Sequence, residues 1–360
     1  MKAANPYIYK IKPYVPGRPI DEVRRELGLK SVIKLASNEN PYPPSPKVLA
    51  AMVKAAREIN RYPDGDCFLL RRTLAKKLNI DKDRLIFGNG SDEIIVLAVK
   101  AFATKGDEII IAKPSFMIYE IASILSGARL HQVPLKDFRY DLEAMKAKVN
   151  RRTKIIFIGN PDNPAGTYLT QAQVKDFLRC VPQSTLVFFD EAYFEYVQAK
   201  DYPDTLALMK KYPNVMTSRT FSKMYGLAGL RIGYGIASRE IIDILNRLRE
   251  PFNVNSMAQA AAVAVLGDEA YYRNIAKDGN EQRRYLYRSL DSMGVAYEKS
   301  FTNFILVHVE GDSSQAARAL LKKGVIVRDM AAWGLKGYIR VSIGSPSENK
   351  RFIKTLKEIL

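Results

Sequence analysis

Between residues 84 and 237, short and almost wholly apolar runs alternate with longer stretches whose apolar positions recur every three to four residues. The runs at 84–87, 108–112, 128–133, 154–159, 185–190, 214–219 and 232–237 are rich in Ile, Val and Phe and read as strands, while 92–102 reads as a helix. Runs that stay apolar at successive positions mark strands buried on both faces, and the intervals leave room for the crossovers that parallel strands need. The pattern predicts an α/β fold with a largely parallel sheet covered by helices on both sides.

The flanking segments have a different texture. Residues 1–40 carry Pro6, Pro13, Pro16 and Pro19 with one short helical pattern at 21–27. Asn40-Pro-Tyr-Pro-Pro-Ser-Pro46 is a stiff turn leading into an amphipathic helix at 47–59. Beyond Pro251 an unbroken helical pattern at 255–292 precedes strand patterns at 294–297, 303–309, 324–328 and 338–343, with helices at 313–323 and 345–360. The last helix opens on Ser345-Pro-Ser-Glu348, a capping box with proline at the first helical position. The expected division is an N-terminal arm at 1–40 that packs on the small domain or a partner subunit, a large domain at 41–254, and a small α+β domain at 255–360.

Composition narrows the function classes. With 47% hydrophobic and 26% charged residues the chain is globular rather than disordered. Its two cysteines, Cys67 and Cys180, exclude a disulfide framework and fit a reducing compartment, so a cytoplasmic protein is expected. The first residues lack the apolar core of a signal peptide, and no run approaches the ~20 residues that span a bilayer, so no membrane role is expected. The net charge of +18 comes from 56 Lys+Arg against 38 Asp+Glu. These basic residues fall in scattered doublets such as Arg71-Arg72 and Lys322-Lys323, which favours a solvated surface over a nucleic-acid partner. His131 and His308, the only histidines, both sit in strand patterns, and no metal site is expected.

Four segments carry candidate chemistry. Gly88-Asn-Gly-Ser-Asp-Glu93 joins a strand to a helix, where free helix N–H groups can cradle a phosphate. The alternative is a plain turn capped by Ser91 or Asp92. It lacks the third glycine of a dinucleotide fingerprint, and no Walker-type phosphate loop occurs in the chain. Asn160-Pro-Asp-Asn-Pro-Ala-Gly166 follows a strand at the edge where α/β sheets bind ligands and offers Asn163; alone it is a turn. Asp190 closes the apolar run Leu186-Val-Phe-Phe-Asp190, where a buried carboxylate needs a partner, unless it caps the next helix or binds a metal. Lys223 lies among hydroxyl residues and glycines, either as a Schiff-base nucleophile or as one more surface charge, with Arg231 eight residues on as a bidentate phosphate donor.

The order of these segments resembles the fold-type-I pyridoxal-phosphate aminotransferases over essentially the whole chain. Leu35-Ala-Ser-Asn-Glu-Asn-Pro41, Arg61-Tyr-Pro-Asp-Gly65, Gly324-Val-Ile-Val-Arg-Asp329 and Tyr338-Ile-Arg340 are similar to the histidinol-phosphate aminotransferase branch. The resemblance implies a seven-stranded, mostly parallel sheet in the large domain and pyridoxal 5'-phosphate as cofactor. It implies that Lys223 carries the cofactor and then serves as general base and acid, with its pKa lowered. Asp190 would keep the pyridine nitrogen protonated, and Asn163 and Tyr193 would hydrogen-bond the ring's 3-oxygen. Ser91, Asp92, Thr220, Ser222 and Arg231 would hold the phosphate, and Phe116 would stack on the ring. Tyr62 would reach the phosphate of a neighbouring subunit, which makes the site a shared feature of a homodimer. Arg340 would grip the substrate's carboxylate or phosphate, with Arg328, Tyr14 and Asn38 completing the pocket. The implied reaction is the histidine-biosynthetic one, a reversible amino transfer from glutamate to imidazole-acetol phosphate that gives histidinol phosphate and 2-oxoglutarate. Alternatives within the fold are an aromatic or broad-specificity aminotransferase and a phosphoamino-acid decarboxylase.

Overall fold

Successive residues of a strand face opposite sides of a sheet, and here both sides are apolar. In the computed structural model, which describes residues 4–13 and 17–360, the strands are β1 (Ile33–Lys34), β2 (Leu85–Gly88), β3 (Glu108–Lys113), β4 (Arg129–Pro134), β5 (Thr153–Gly159), β6 (Leu186–Asp190), β7 (Val215–Thr220), β8 (Gly233–Ile236), β9 (Phe304–His308), β10 (Val325–Ile326), β11 (Arg328–Asp329) and β12 (Tyr338–Ser342). Seven of them form one sheet in the order β2-β8-β7-β6-β5-β3-β4. The run from β7 to β4 is parallel, and β8 is antiparallel to both of its neighbours.

Ile110, Ile156, Ile158, Val187 and Phe189 point to one side of this sheet. Their core is completed by Val48, Leu70, Leu74, Ala258 and Ala262 from the helices Pro46–Ala56, Phe68–Leu78 and Ser256–Leu266. Ile109, Ile111, Ile155, Phe157 and Phe188 point to the other side, against Ile94, Ile95 and Tyr119 of the helices Ser91–Phe102 and Met117–Ser126. Burying each such side chain stabilises by roughly 1.5–3 kcal/mol. Held from both sides, the carboxyl ends of β5, β6 and β7 become fixed points.

β11, β12 and β9 form a separate antiparallel sheet whose core joins Ile305, Val307, Ile339 and Val341 to Leu286 and Phe352. β1 pairs in parallel with β10, and Ser342 N–H donates to the Leu35 carbonyl at 2.8 Å, so the segment ahead of residue 40 is stitched to the C-terminal part. The capping box at Ser345 forms as expected. Among the described residues no helix is long and apolar enough to cross a membrane.

Three expected elements differ. The helical pattern at 255–292 breaks at Gly267, which ends one helix, and Asp268, whose carboxylate pairs with Lys47 at 3.2 Å. The run at 324–328 becomes two strands because the chain changes partner at Val327, from β1 to β12. The run at 294–297 makes a single bridge, Tyr297 to Val307. Its first residues are spent ending the preceding helix, with Gly294 at φ +67° and Val295 N–H donating to the Leu290 carbonyl.

Candidate active site

The parallel register sets Gly159 beside Asp190 and Asp190 beside Ser218, so the loops leaving β5, β6 and β7 open onto one cavity at the strands' carboxyl edge. The cavity holds about 350 Å³. Asn38, Ser91, Asp92, Phe116, Asn163, Asp190, Tyr193, Thr220, Ser222, Lys223, Arg231, Arg328 and Arg340 all line it. Tyr62 is elsewhere, 82% exposed and stacked on Phe252 outside the cavity. The prediction for Tyr14 falls outside the described residues.

Asp190 is 6% exposed at the floor. Its Oδ2 accepts from the Tyr119 hydroxyl at 2.7 Å, and its Oδ1 from Ala192 N–H at 3.2 Å and Ser218 Oγ at 3.3 Å. All three donors are neutral. Burial pushes the carboxyl up to about 6, against the pull of the Tyr119 and Ser218 hydrogen bonds and with a further push from Asp92.

Lys223 sits above, its Nζ 3.5 Å from the Ser37 carbonyl and 5.7 Å from the centre of the Tyr193 ring. Burial lowers its pKa to about 8, helped by the charges of Arg340 and Arg231 and opposed by Asp92 and Glu39. The lowered value expected from the sequence is present. Tyr193 receives a hydrogen bond from Asn38 Nδ2 at 2.9 Å, and burial pushes its phenol up to about 12. Asn163 Oδ1 accepts from Arg340 Nη1 at 2.6 Å, which leaves the Asn163 amide N–H groups as its ligand-facing donors. Arg340, on β12, also donates to the Ala36 carbonyl, so one guanidinium ties the three sequence regions together.

The phosphate end is built by close approach. The helix Ser91–Phe102 is capped by Gly90, at φ +84° and without a side-chain cap, rather than by Ser91 or Asp92 as the plain-turn reading has it. Its first N–H groups are left for an anion. A β-carbon on Gly90 would come 2.5 Å from Arg231 Nη2, and one on Gly233 would come 2.5 Å from Ser91 N, so only glycine lets these donors converge. Arg231 reaches Asp92 at 3.2 Å and Ser222 Oγ at 3.5 Å. Phe116, at the start of the helix Met117–Ser126, meets Tyr119 edge-on at 5.7 Å.

Sequence reasoning passed over Tyr119, Ser218 and Trp333. Trp333 lines the cavity with its ring 5.1 Å from the Arg328 guanidinium. Tyr119 carried one usable signal, its position three residues after Phe116 on one helix face. The histidines serve the fold: His131 meets Glu108 at 2.8 Å and His308 packs on Tyr338.

The residues present fit pyridoxal phosphate on their own chemistry. A buried carboxylate with only neutral donors suits a protonated ring nitrogen, a lysine without an ion pair among the described residues suits an aldehyde, and an uncapped helix start beside Arg231 suits a phosphate.

Residues 30–356 match the family model for aminotransferase class I and II. The histidinol-phosphate aminotransferase of Moorella thermoacetica is 50% identical over 354 residues, covering 98% of this chain and 92% of that protein. Histidinol-phosphate aminotransferase 2 of Carboxydothermus hydrogenoformans is 46% identical, with 97% of each chain covered. The crystal structure of histidinol-phosphate aminotransferase from Sinorhizobium meliloti in complex with pyridoxal-5'-phosphate superposes with a TM-score of 0.90 at 28% identity, covering 100% of this chain and 99% of that one. The sheet order, the strand-end site and these matches agree: the fold is that of the fold-type-I pyridoxal-phosphate enzymes, and the chain belongs to the class I and II aminotransferase family.

Proposed function

We propose that this enzyme transfers the amino group of glutamate to imidazole-acetol phosphate, the histidinol-phosphate step of histidine biosynthesis, as a cytoplasmic homodimer. The observation that carries the reading is the pairing of Lys223 and Asp190 across one cavity, an amine with a lowered pKa facing a carboxylate that lacks a cation of its own. Relatives at 43–50% identity carrying that activity in their names support the substrate.

Pyridoxal phosphate, when bound, supplies an electron sink for the carbanion left at the substrate's α-carbon. The chain supplies the rest. Asp190 would meet the ring nitrogen with a negative charge that burial makes costly without a cation. Lys223, with its Nζ partly neutral near physiological pH, takes up a proton and returns it. Asn163 and Tyr193 would hold the ring oxygen, Phe116 would cover the ring, and the Ser91 helix start with Thr220, Ser222 and Arg231 would hold the phosphate. Arg340 and Arg328 receive the substrate's anionic end.

The dimer reading is supported by the run of exposed apolar side chains within residues 49–69, Leu49, Val53, Ile59, Tyr62 and Leu69, which a second copy would cover. A monomer in sedimentation analysis would overturn the shared site. The substrate is tested by comparing kcat/KM for histidinol phosphate with that for phenylalanine and tyrosine. Preference for the phosphate ester is expected; preference for the aromatic acids would overturn the substrate assignment and leave amino transfer standing.

A further inference from the structure

A second buried carboxylate lies one loop away from Asp190. Asp162 is 2% exposed, and its Oδ2 accepts from Ala165 N–H at 3.1 Å while Oδ1 has no aligned donor. Near it stands Tyr140, also buried, whose oxygen accepts from Gly159 N–H at 2.8 Å, so its own proton is directed elsewhere. Gly159 shows how tightly these groups meet. A β-carbon there would lie 3.3 Å from Tyr140 Oη, 3.5 Å from Tyr119 Oη and 3.7 Å from Asp162 Oδ1. Three polar oxygens thus converge on the missing side chain at the end of β5, beside Asp190 in the sheet register. The residue after Asp162 is Asn163, already bonded to Arg340.

We propose that Asp162 and Tyr140 are positioning residues, a buried latch that fastens the loop at 160–166 so that Asn163 can serve the cofactor and Arg340 at once. The proposal rests on the reading that pyridoxal phosphate binds against Asp190 and Asn163. Burial pushes the Asp162 carboxyl up to about 7, opposed by the nearby Ala165 N–H, Tyr140 hydroxyl and Asn163 N–H. The titratable groups facing it are Tyr119 on the helix Met117–Ser126, Tyr140 ahead of the helix Leu142–Lys146, and Tyr193 after β6. As the neutral acid, Asp162 can donate as well as accept within this cluster; ionised, it can only accept. The latch therefore changes character as Asp162 loses its proton.

The test uses Asp162→Asn and Tyr140→Phe in the full chain, with two readouts. One is the infrared carboxylic-acid band of the cofactor-free protein, followed against pH. The other is the dissociation constant for pyridoxal phosphate by equilibrium dialysis. The parent minus Asp162→Asn difference should contain one band that titrates near pH 7, and both variants should bind the cofactor about tenfold more weakly. Asp162→Asn should also lose any inflection of cofactor affinity near that pH. Should Tyr140→Phe fail to fold, Asp162→Asn decides. A difference spectrum without the band, or variants binding within about twofold of the parent, would overturn the latch alone. A parent that binds no pyridoxal phosphate would bring down the functional reading and the latch with it.

Discussion

Asp190 and Glu191 are consecutive, both carboxylates are buried, and they leave the end of β6 toward opposite faces. Glu191 is met by Arg219, whose Nε and Nη2 both lie 2.8 Å from Oε2 and whose guanidinium stacks on Phe194 at 3.5 Å. Asp190 is met only by two hydroxyls and one peptide N–H. A carboxylate whose cation is built into the chain belongs to the architecture. One that receives neutral donors alone, and whose carboxyl is pushed up to about 6 by burial, is held ready for a cation from outside. The difference separates groups that stabilise the fold from groups that wait for a ligand.

If that separation holds, charges on the cavity side govern activity and those on the core side govern stability. Lys223→Ala should lower amino transfer by at least ~10⁴-fold, since on the proposed reading it would remove the proton carrier along with the cofactor's attachment point. Its melting temperature should barely change, and a large fall would break the comparison. Arg219→Met should do the reverse. It leaves Glu191 buried without its cation and should cost about 3–5 kcal/mol in denaturant titrations, while the folded fraction still turns over. A cost below about 1 kcal/mol would place Arg219 with the weak surface pairs instead.

Part of this contrast was legible in the sequence. Four apolar residues ahead of Asp190 put a carboxylate at a buried strand end, and Lys223 among hydroxyls and glycines stood out in a chain full of surface lysines. The partners were not legible. Tyr119 reaches Asp190 across 71 residues and Arg340 reaches Asn163 across 177, and only the packing of a helix and of a second sheet against the strand ends brings them together. Gly90 as the helix cap depends on a φ of +84°, which a Gly-Ser-Asp string does not reveal. The split at Val327 was hidden for a similar reason, because an apolar run shows that a strand is buried and not which neighbour it pairs with.

A pH series sharpens the Asp190 side. Its carboxyl titrates near 6 in the folded protein without cofactor, against an ordinary value of 3.8, so folding favours the protonated form. That stabilisation is complete below about pH 4 and is lost as pH rises to about 6. Asp190→Asn removes this dependence. The variant's unfolding free energy should therefore gain on the parent's by on the order of 3 kcal/mol across the window and stay level above it. Saturating pyridoxal phosphate should stabilise the parent by more than the variant, in denaturant titrations at fixed pH.

The smallest effect asks how much of Asp190's readiness comes from a single hydroxyl. The Tyr119 ring is 2% exposed and lies flat on Phe157, with centroids 4.8 Å apart, so Tyr119→Phe keeps the packing and deletes only the donor at 2.7 Å. One such hydrogen bond to a charged group contributes roughly 1.5 kcal/mol. Its loss should raise the Asp190 carboxyl further and weaken cofactor binding by about tenfold at neutral pH. Below the Asp190 titration, where the carboxyl is already neutral, parent and variant should converge. That convergence distinguishes a hydrogen bond to the charged form from a packing defect, which would weaken binding at every pH. A midpoint that does not move would mean that Ser218 and Ala192 N–H alone hold the charge, and that Asp190 is closer to Glu191 in its compensation than the donors around it indicate.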